Sequence, residues 1–111
     1  MDPKQQRGAS FVRSATSATL AQVTVKSSSN VSTFVTDITA SADVIAGGIN
    51  RGAIQIGSTI VWNFALSTAQ NIYNHQFKVP VGSSTGDIVA WVDGDSNAAI
   101  SISGYSITNP A

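Results

Sequence analysis

The chain has no cysteine, no glutamate, one histidine and one methionine, and only 11% of its 111 residues are charged. Each shortage closes off a kind of chemistry. Without cysteine there is neither a disulfide framework nor a thiolate metal site, so packing must hold the fold. Lys plus Arg number 6 and Asp plus Glu number 6, giving a formal net charge of zero. A chain so balanced has no long-range field to gather nucleic acid or anionic lipid, and neither partner is expected. No run reaches the roughly 20 apolar residues that a bilayer-crossing helix needs. The opening MDPKQQRGAS is polar and has no signal-peptide core, so the chain reads as made in a cytoplasm without export. Soluble domains ordinarily carry roughly 25% charged residues. Here Ser and Thr supply most of the polar surface instead, which repels little and costs little to desolvate. That suits a protein packed against copies of itself or a larger partner.

What is present is a rhythm of two. In LAQVTVKSSSN the apolar set is Ala21, Val23 and Val25. In STFVTDITASADV it is Phe34, Thr36, Ile38, Ala40, Ala42 and Val44, one long strand or two with a bend. AGGINRG then reads as a hairpin, with its glycines and Asn50 at positive φ. AIQIG and STIVWNFAL read as strands about Gly57 and Ser58. In the second, Ile60, Trp62, Phe64 and Leu66 form a wall that faces an opposite sheet. HQFKVPV alternates His75, Phe77, Val79 and Val81, with Pro80 marking an edge or strand end. DIVAWVD is apolar on both faces, with Ile88, Ala90 and Val92 against Val89 and Trp91. AAISISGYSI closes the chain, with Gly104 as a candidate bulge that changes the face on which Tyr105 and Ile107 land. No segment has helical periodicity. The pattern predicts an all-β fold: a single antiparallel β-sandwich of jelly-roll or Greek-key type with seven or eight strands. Residues 1–19 read as an extended N-terminal arm, with one short strand allowed at SFV, and 20–111 as the sandwich domain. A two-layer sandwich buries one face of each sheet, so Val89 and Trp91 need cover from the arm or from a neighbouring subunit.

Chemistry-bearing residues are few. DGDSN sets oxygen ligands at Asp93, Asp95 and Asn97, as a calcium loop begins. Ala98 and Gly104 then stand where such a loop needs Gly and Glu, and Asp-Gly with Ser-Asn is ordinary turn chemistry. His75 would have to serve any imidazole-based scheme, yet it runs in phase with Phe77 and Val79 as a packed or interface ring. Asp37, Asp43, Asp87, Asp93 and Asp95 are the carboxylates that could meet in space, on a scaffold small for a glycosidase pair. AGGINRGAIQIG lacks the Gly-Lys-Ser/Thr ending of a phosphate loop. No catalytic site and no cofactor is expected. Trp62, Trp91, Tyr73 and Tyr105 are the aromatics available for sugar stacking, with Tyr73 the best candidate for exposure.

The layout TFVTDITASADVIAGG, TIVWNFAL, FKVPVGSSTGDIVAWV and AAISISGYSI, over residues 33–107, resembles small virion structural proteins of tailed bacteriophages. There a TDI and SAD strand pair, a VVW-like strand, an F-to-P segment and a final ISGY strand recur. The resemblance implies a decoration or cement protein on the capsid exterior, often a jelly-roll trimer, assembled in the host cytoplasm, with the major capsid protein as partner. On that reading residues 1–19, with Phe11, Val12 and Arg13, grip the shell, and Val89 and Trp91 hold neighbouring subunits, with Tyr73 a further contact. A tail, neck or fibre component and a free carbohydrate-binding module are the alternatives.

Overall fold

The two-residue rhythm becomes eight strands: β1 (Arg7–Ser17), β2 (Leu20–Val25), β3 (Val31–Ala42), β4 (Ile49–Ile56), β5 (Thr59–Ser67), β6 (Ile72–Ser83), β7 (Ile88–Asp93) and β8 (Ala98–Thr108). The computed structural model describes residues 7–26, 30–83 and 86–108, and the side chains of all of these except 7–9 and 83. Two four-stranded sheets result, ordered β1-β8-β3-β6 and β2-β7-β4-β5. Every pairing is antiparallel. The order follows one rule. β1 pairs with β8, β2 with β7, β3 with β6 and β4 with β5, as in one long hairpin bent at Gly57 and Ser58 and then wound until β8 meets β3 and β7 meets β4.

Winding makes the chain change sheet at every connection except β4 to β5. AGGINRG and DGDSN, read from the sequence as a hairpin and a turn, therefore contain crossovers between sheets, with Ile49–Gly52 already in β4 and Asp93 still in β7. Gly, Asn and Asp serve both purposes, because a sharp reversal needs the same backbone whichever sheet the next strand joins. Asn50 lies in β4, and among the described residues the positive-φ positions are Gly47 and Gly57.

The arm expected over residues 1–19 is, from Arg7 to Ser17, the edge strand of the first sheet. It is in register with β8 from Ser10 opposite Tyr105 to Ser17 opposite Ala98. Its alternation was masked because the outward row is Val12, Ser14 and Thr16, while Phe11 and Ala15 pack inward on the core. Residues 1–6 lie outside the described residues.

Inward rows from both sheets merge into one core. Its largest wholly buried side chains are Ile38, Ile54, Leu66, Ile88, Ile102, Val35 and Val92. Each contributes about 1.5–3 kcal/mol by leaving water. In β3 the simple alternation breaks. The register against both β6 and β8 slips between Val35 and Asp37, so Thr33 and Val35 are buried before the slip and Ile38, Ala40 and Ala42 after it. One extra residue inverts the faces. Phe34, expected beside Ile38, instead stacks on Tyr105 with ring centroids 5.2 Å apart. Thr36 turns its hydroxyl to Asp37 Oδ2 (2.9 Å) and to the Ser103 carbonyl (3.2 Å).

Nor is Gly104 the bulge. β8 pairs continuously with β3 on its own side, Ser103 opposite Asp37 and Gly104 opposite Val35, so Tyr105 stays on the face opposite Ile102. Glycine is needed there for room, since a Cβ would overlap the Phe34 carbonyl oxygen and press on the Phe11 ring. Gly104→Ala should lower stability by about 1–3 kcal/mol in urea unfolding. An unchanged midpoint would show that β3 and β8 can separate freely at the bulge.

Candidate functional site

The two outer faces differ in make-up. On the first sheet the register puts Ser14 against Ser101, Thr39 against Ser101 and Asn74, and Ser41 against Ala99, a hydroxyl-rich half with Val12 and Ile72 at its edges, and the stacked Phe34 and Tyr105 at the other end. On the second sheet the outward rows run Gln22, Trp91, Ala53 and Asn63, then Thr24, Val89, Gln55 and Ile60. Leu20 and Ile49 extend that apolar surface, and Ile49 is 62% exposed. Trp91 sits near its centre. Its indole N–H donates to Gln55 Oε1 at 2.7 Å, and Ala53, its row neighbour, is almost wholly buried. Val89 and Trp91 are thus outward and half-buried, as the two-sided pattern of DIVAWVD predicts. β1 belongs to the other sheet, so Arg7–Ser17 does not cover them.

Ile60 joins this face by a slip. Ile54 pairs with Trp62 but Gln55 pairs with Ile60, leaving Val61 as an extra residue. Ile60, expected on the core side with Trp62, Phe64 and Leu66, is therefore 51% exposed, while Phe64 and Leu66 are buried. The inward aromatics of β5 meet those of β6 where the two sheet edges face each other. Phe64 stacks on Tyr73 with centroids 4.3 Å apart and planes within 2°. Trp62 stacks on His75 at 4.7 Å and meets Phe77 edge-on at 5.0 Å. The Trp62 N–H donates to the Tyr73 hydroxyl at 2.9 Å. This seam closes one side of the sandwich, and aromatic pairs of this kind add about 0.5–1.5 kcal/mol each beyond burial. Phe64 reaches its place because Gly52 lies opposite it, where any Cβ would collide with the ring.

Two proposed contact residues are thereby occupied. Tyr73, expected to be an exposed aromatic, is held in the seam, and Phe11 packs on the core. Val12 is 65% exposed, and Arg13 beside it is exposed with its guanidinium 5.6 Å from the Phe11 ring centroid. His75 is a packed ring between Trp62 and Phe77.

The carboxylates of the calcium-like phrase work as a clamp. Asp95 Oδ2 accepts from the Ile45 N–H (2.7 Å) and from Asn50 Nδ2 (3.2 Å), while Asp43 Oδ2 accepts from Ser96 (2.8 Å) and Asn97 Nδ2 (3.2 Å). These bonds tie the β3–β4 crossover to the β7–β8 crossover. Asn97 therefore presents its amide nitrogen to Asp43, Asp93 ends β7 with an exposed side chain, and no three acidic or imidazole groups converge among the described residues. Gly82 to Gly86 spells the Gly-x-Ser-x-Gly spacing of a nucleophile elbow. A strand rather than a helix follows it, so the strand-turn-helix frame of an elbow is missing. Ser84 lies outside the described residues.

No family model matches the chain, and no curated protein matches it. Solved structures that it matches include dimeric latent PorU from Porphyromonas gingivalis, with a TM-score of 0.46 and 10% identity, over 92% of this chain and 13% of that one. Another is a mutant VP2 protein of infectious bursal disease virus, with a TM-score of 0.17 and 9% identity, over 92% of this chain and 41% of that one. The chain spans a minor part of either, and likenesses this slight carry no argument about function.

The clamp makes a prediction. Asp43→Ala removes the acceptor for Ser96 and Asn97 and should lower unfolding free energy by about 1 kcal/mol, while excess calcium leaves the melting temperature of the native chain unchanged. A calcium-dependent rise in melting temperature, abolished by Asp43→Ala, would make the cluster a metal site instead.

Proposed function

We propose that the chain is a non-enzymatic jelly roll that works by assembly, most specifically a decoration protein bound to the capsid exterior of a tailed bacteriophage. The strand orders β1-β8-β3-β6 and β2-β7-β4-β5 fit a wound double Greek key, an architecture used by capsid and lectin domains. The observation that carries the reading is the second sheet's outer face, where Trp91 and Val89 at the centre, with Ile60, Leu20 and Ile49 around them, lie on a surface that no other segment among the described residues covers. Large apolar side chains grouped around a central tryptophan mark an interaction site, whereas single scattered ones do not.

The occupant of that face is a second copy of the chain, in the homotrimer that the phage resemblance implies. The surface suits it. By register Arg51 and Asp93 lie on it with opposite signs, Lys26 and Asp87 pair at its end, and the chain as a whole is neutral, so copies approach without net repulsion. The major capsid protein is then the external partner. Contacts repeated by each subunit turn modest single-site affinities into durable attachment. The grip that the resemblance gives residues 1–19 falls on Val12 and Arg13 at the β1 edge, while Phe11 and Tyr73 leave the interface because the fold already uses them. Deleting residues 2–19, which the sequence alone would treat as trimming an arm, strips β8 of its edge partner and is expected to unfold the sheet. Substitutions are the proper test.

Light scattering should return an oligomer for the native chain, and the chain should co-sediment with undecorated phage heads. W91S combined with I60S should give a folded monomer by circular dichroism, and V12D with R13E should stay oligomeric but leave the heads. A native chain that is monomeric and stays in the supernatant would remove the proposal.

A further inference from the structure

We propose that the groove along the β5–β6 seam binds a neutral oligosaccharide. The groove has a volume of 540 Å3, within the usual range for small-molecule sites. It is floored by the stacked Phe64 and Tyr73 rings and rimmed by three primary amides, Asn63 from β5, Gln70 from the β5–β6 connection and Asn74 from β6. Three separate segments thus deliver the same functional group to one cleft.

The lining selects the ligand class. It contains no carboxylate, ammonium or guanidinium, so neither an anion nor a cation finds a counter-charge there. The three exposed amides at its rim favour a guest that can hydrogen-bond with them over a purely apolar one. Each amide offers one acceptor and two donors side by side, the complement of neighbouring sugar hydroxyls. The amides are also available. The side chains of Asn63 and Gln70 have no hydrogen-bond partner among the described residues, and Asn74 accepts at Oδ1 from the Thr39 hydroxyl at 3.5 Å, which leaves its NH2 free.

The site is partly pre-set. Ser67 and Gln70 exchange backbone hydrogen bonds at 3.1 Å in both directions, and the Gln70 N–H also lies 3.2 Å from the Ser67 hydroxyl, so the connection that carries Gln70 is pinned. The Trp62 to Tyr73 hydrogen bond and the Phe64 stack fix the floor. Holding the groups in place before binding lowers the ordering cost that otherwise weakens shallow sugar sites. The site lies on a sheet edge and shares only Asn63 with the outward face of the second sheet, so Gln70 and Asn74 test it apart from the assembly reading.

The test is a glycan array carrying neutral and sialylated oligosaccharides, probed with the full chain. Binding is expected among the neutral glycans. The best neutral oligosaccharide is then titrated against 15N-labelled chain, where the side-chain amide signals of Asn63, Gln70 and Asn74 should shift. N74A should weaken that binding roughly tenfold, and N63A with Q70A and N74A should abolish it with the circular dichroism spectrum unchanged. Q76A, an exposed amide on the same strand outside the groove, should bind as the native chain does. No binding to any neutral glycan, binding confined to sialylated ones, or full binding by the triple variant would each overturn the proposal.

Discussion

Everything in this molecule depends on two inward rows of aliphatic side chains meeting between the sheets. There is no disulfide to fall back on, and the Lys26–Asp87 ion pair, at 3.6 Å with an exposed lysine, contributes roughly 0–1 kcal/mol. Ile38, Ile54, Leu66, Ile88 and Ile102, supplied by strands from both sheets, must therefore supply most of the stability. The winding of the chain follows from this. A single ladder of four paired strands would leave both of its faces wet, whereas wound onto itself it buries one face of each half.

Once the inner rows are spent on the core, the outer rows become informative. Had the chain needed only to fold, the outer faces could have been Ser and Thr throughout, as the first sheet's is around Ser14, Thr39, Ser41 and Ser101. The second sheet instead keeps Trp91, Val89, Ile60, Leu20 and Ile49 outward, and holds the Trp91 indole with Gln55. On the proposed assembly reading a partner covers that outer layer, and the scarcity of charge across the whole chain lowers the obstacle to close approach.

Much of this was legible in the residues alone. Period-two alternation marks β2 and β7 and the inward side of β8 directly, the second half of β4 is legible as AIQIG, and the double-sided DIVAWVD shows its outward Trp91 from the residues alone. Three things were not. The extra residues Thr36 and Val61 invert the alternation of their strands, and a bulge leaves no mark in composition when the inserted residue is itself a good strand former. β1 hid because an edge strand with a hydroxyl-rich outer row has too few apolar positions to display a period. The crossovers looked like hairpins because turn chemistry is local, while sheet membership is decided by partners dozens of residues away. The amide-rimmed groove was equally invisible, since Asn63, Gln70 and Asn74 are ordinary polar residues until β5 and β6 are brought edge to edge.

The central claim is that the face around Trp91 is covered when the protein works. Trp62→Phe leaves Trp91 as the sole tryptophan, with the seam still filled by an aromatic ring, so its fluorescence reports that face alone. Acrylamide quenching of this variant should weaken, with the emission shifting blue, as concentration rises from the dilute to the associated state. Quenching that is equally strong at every concentration, and unchanged on phage heads, would mean that the indole stays wet and that the face has no partner.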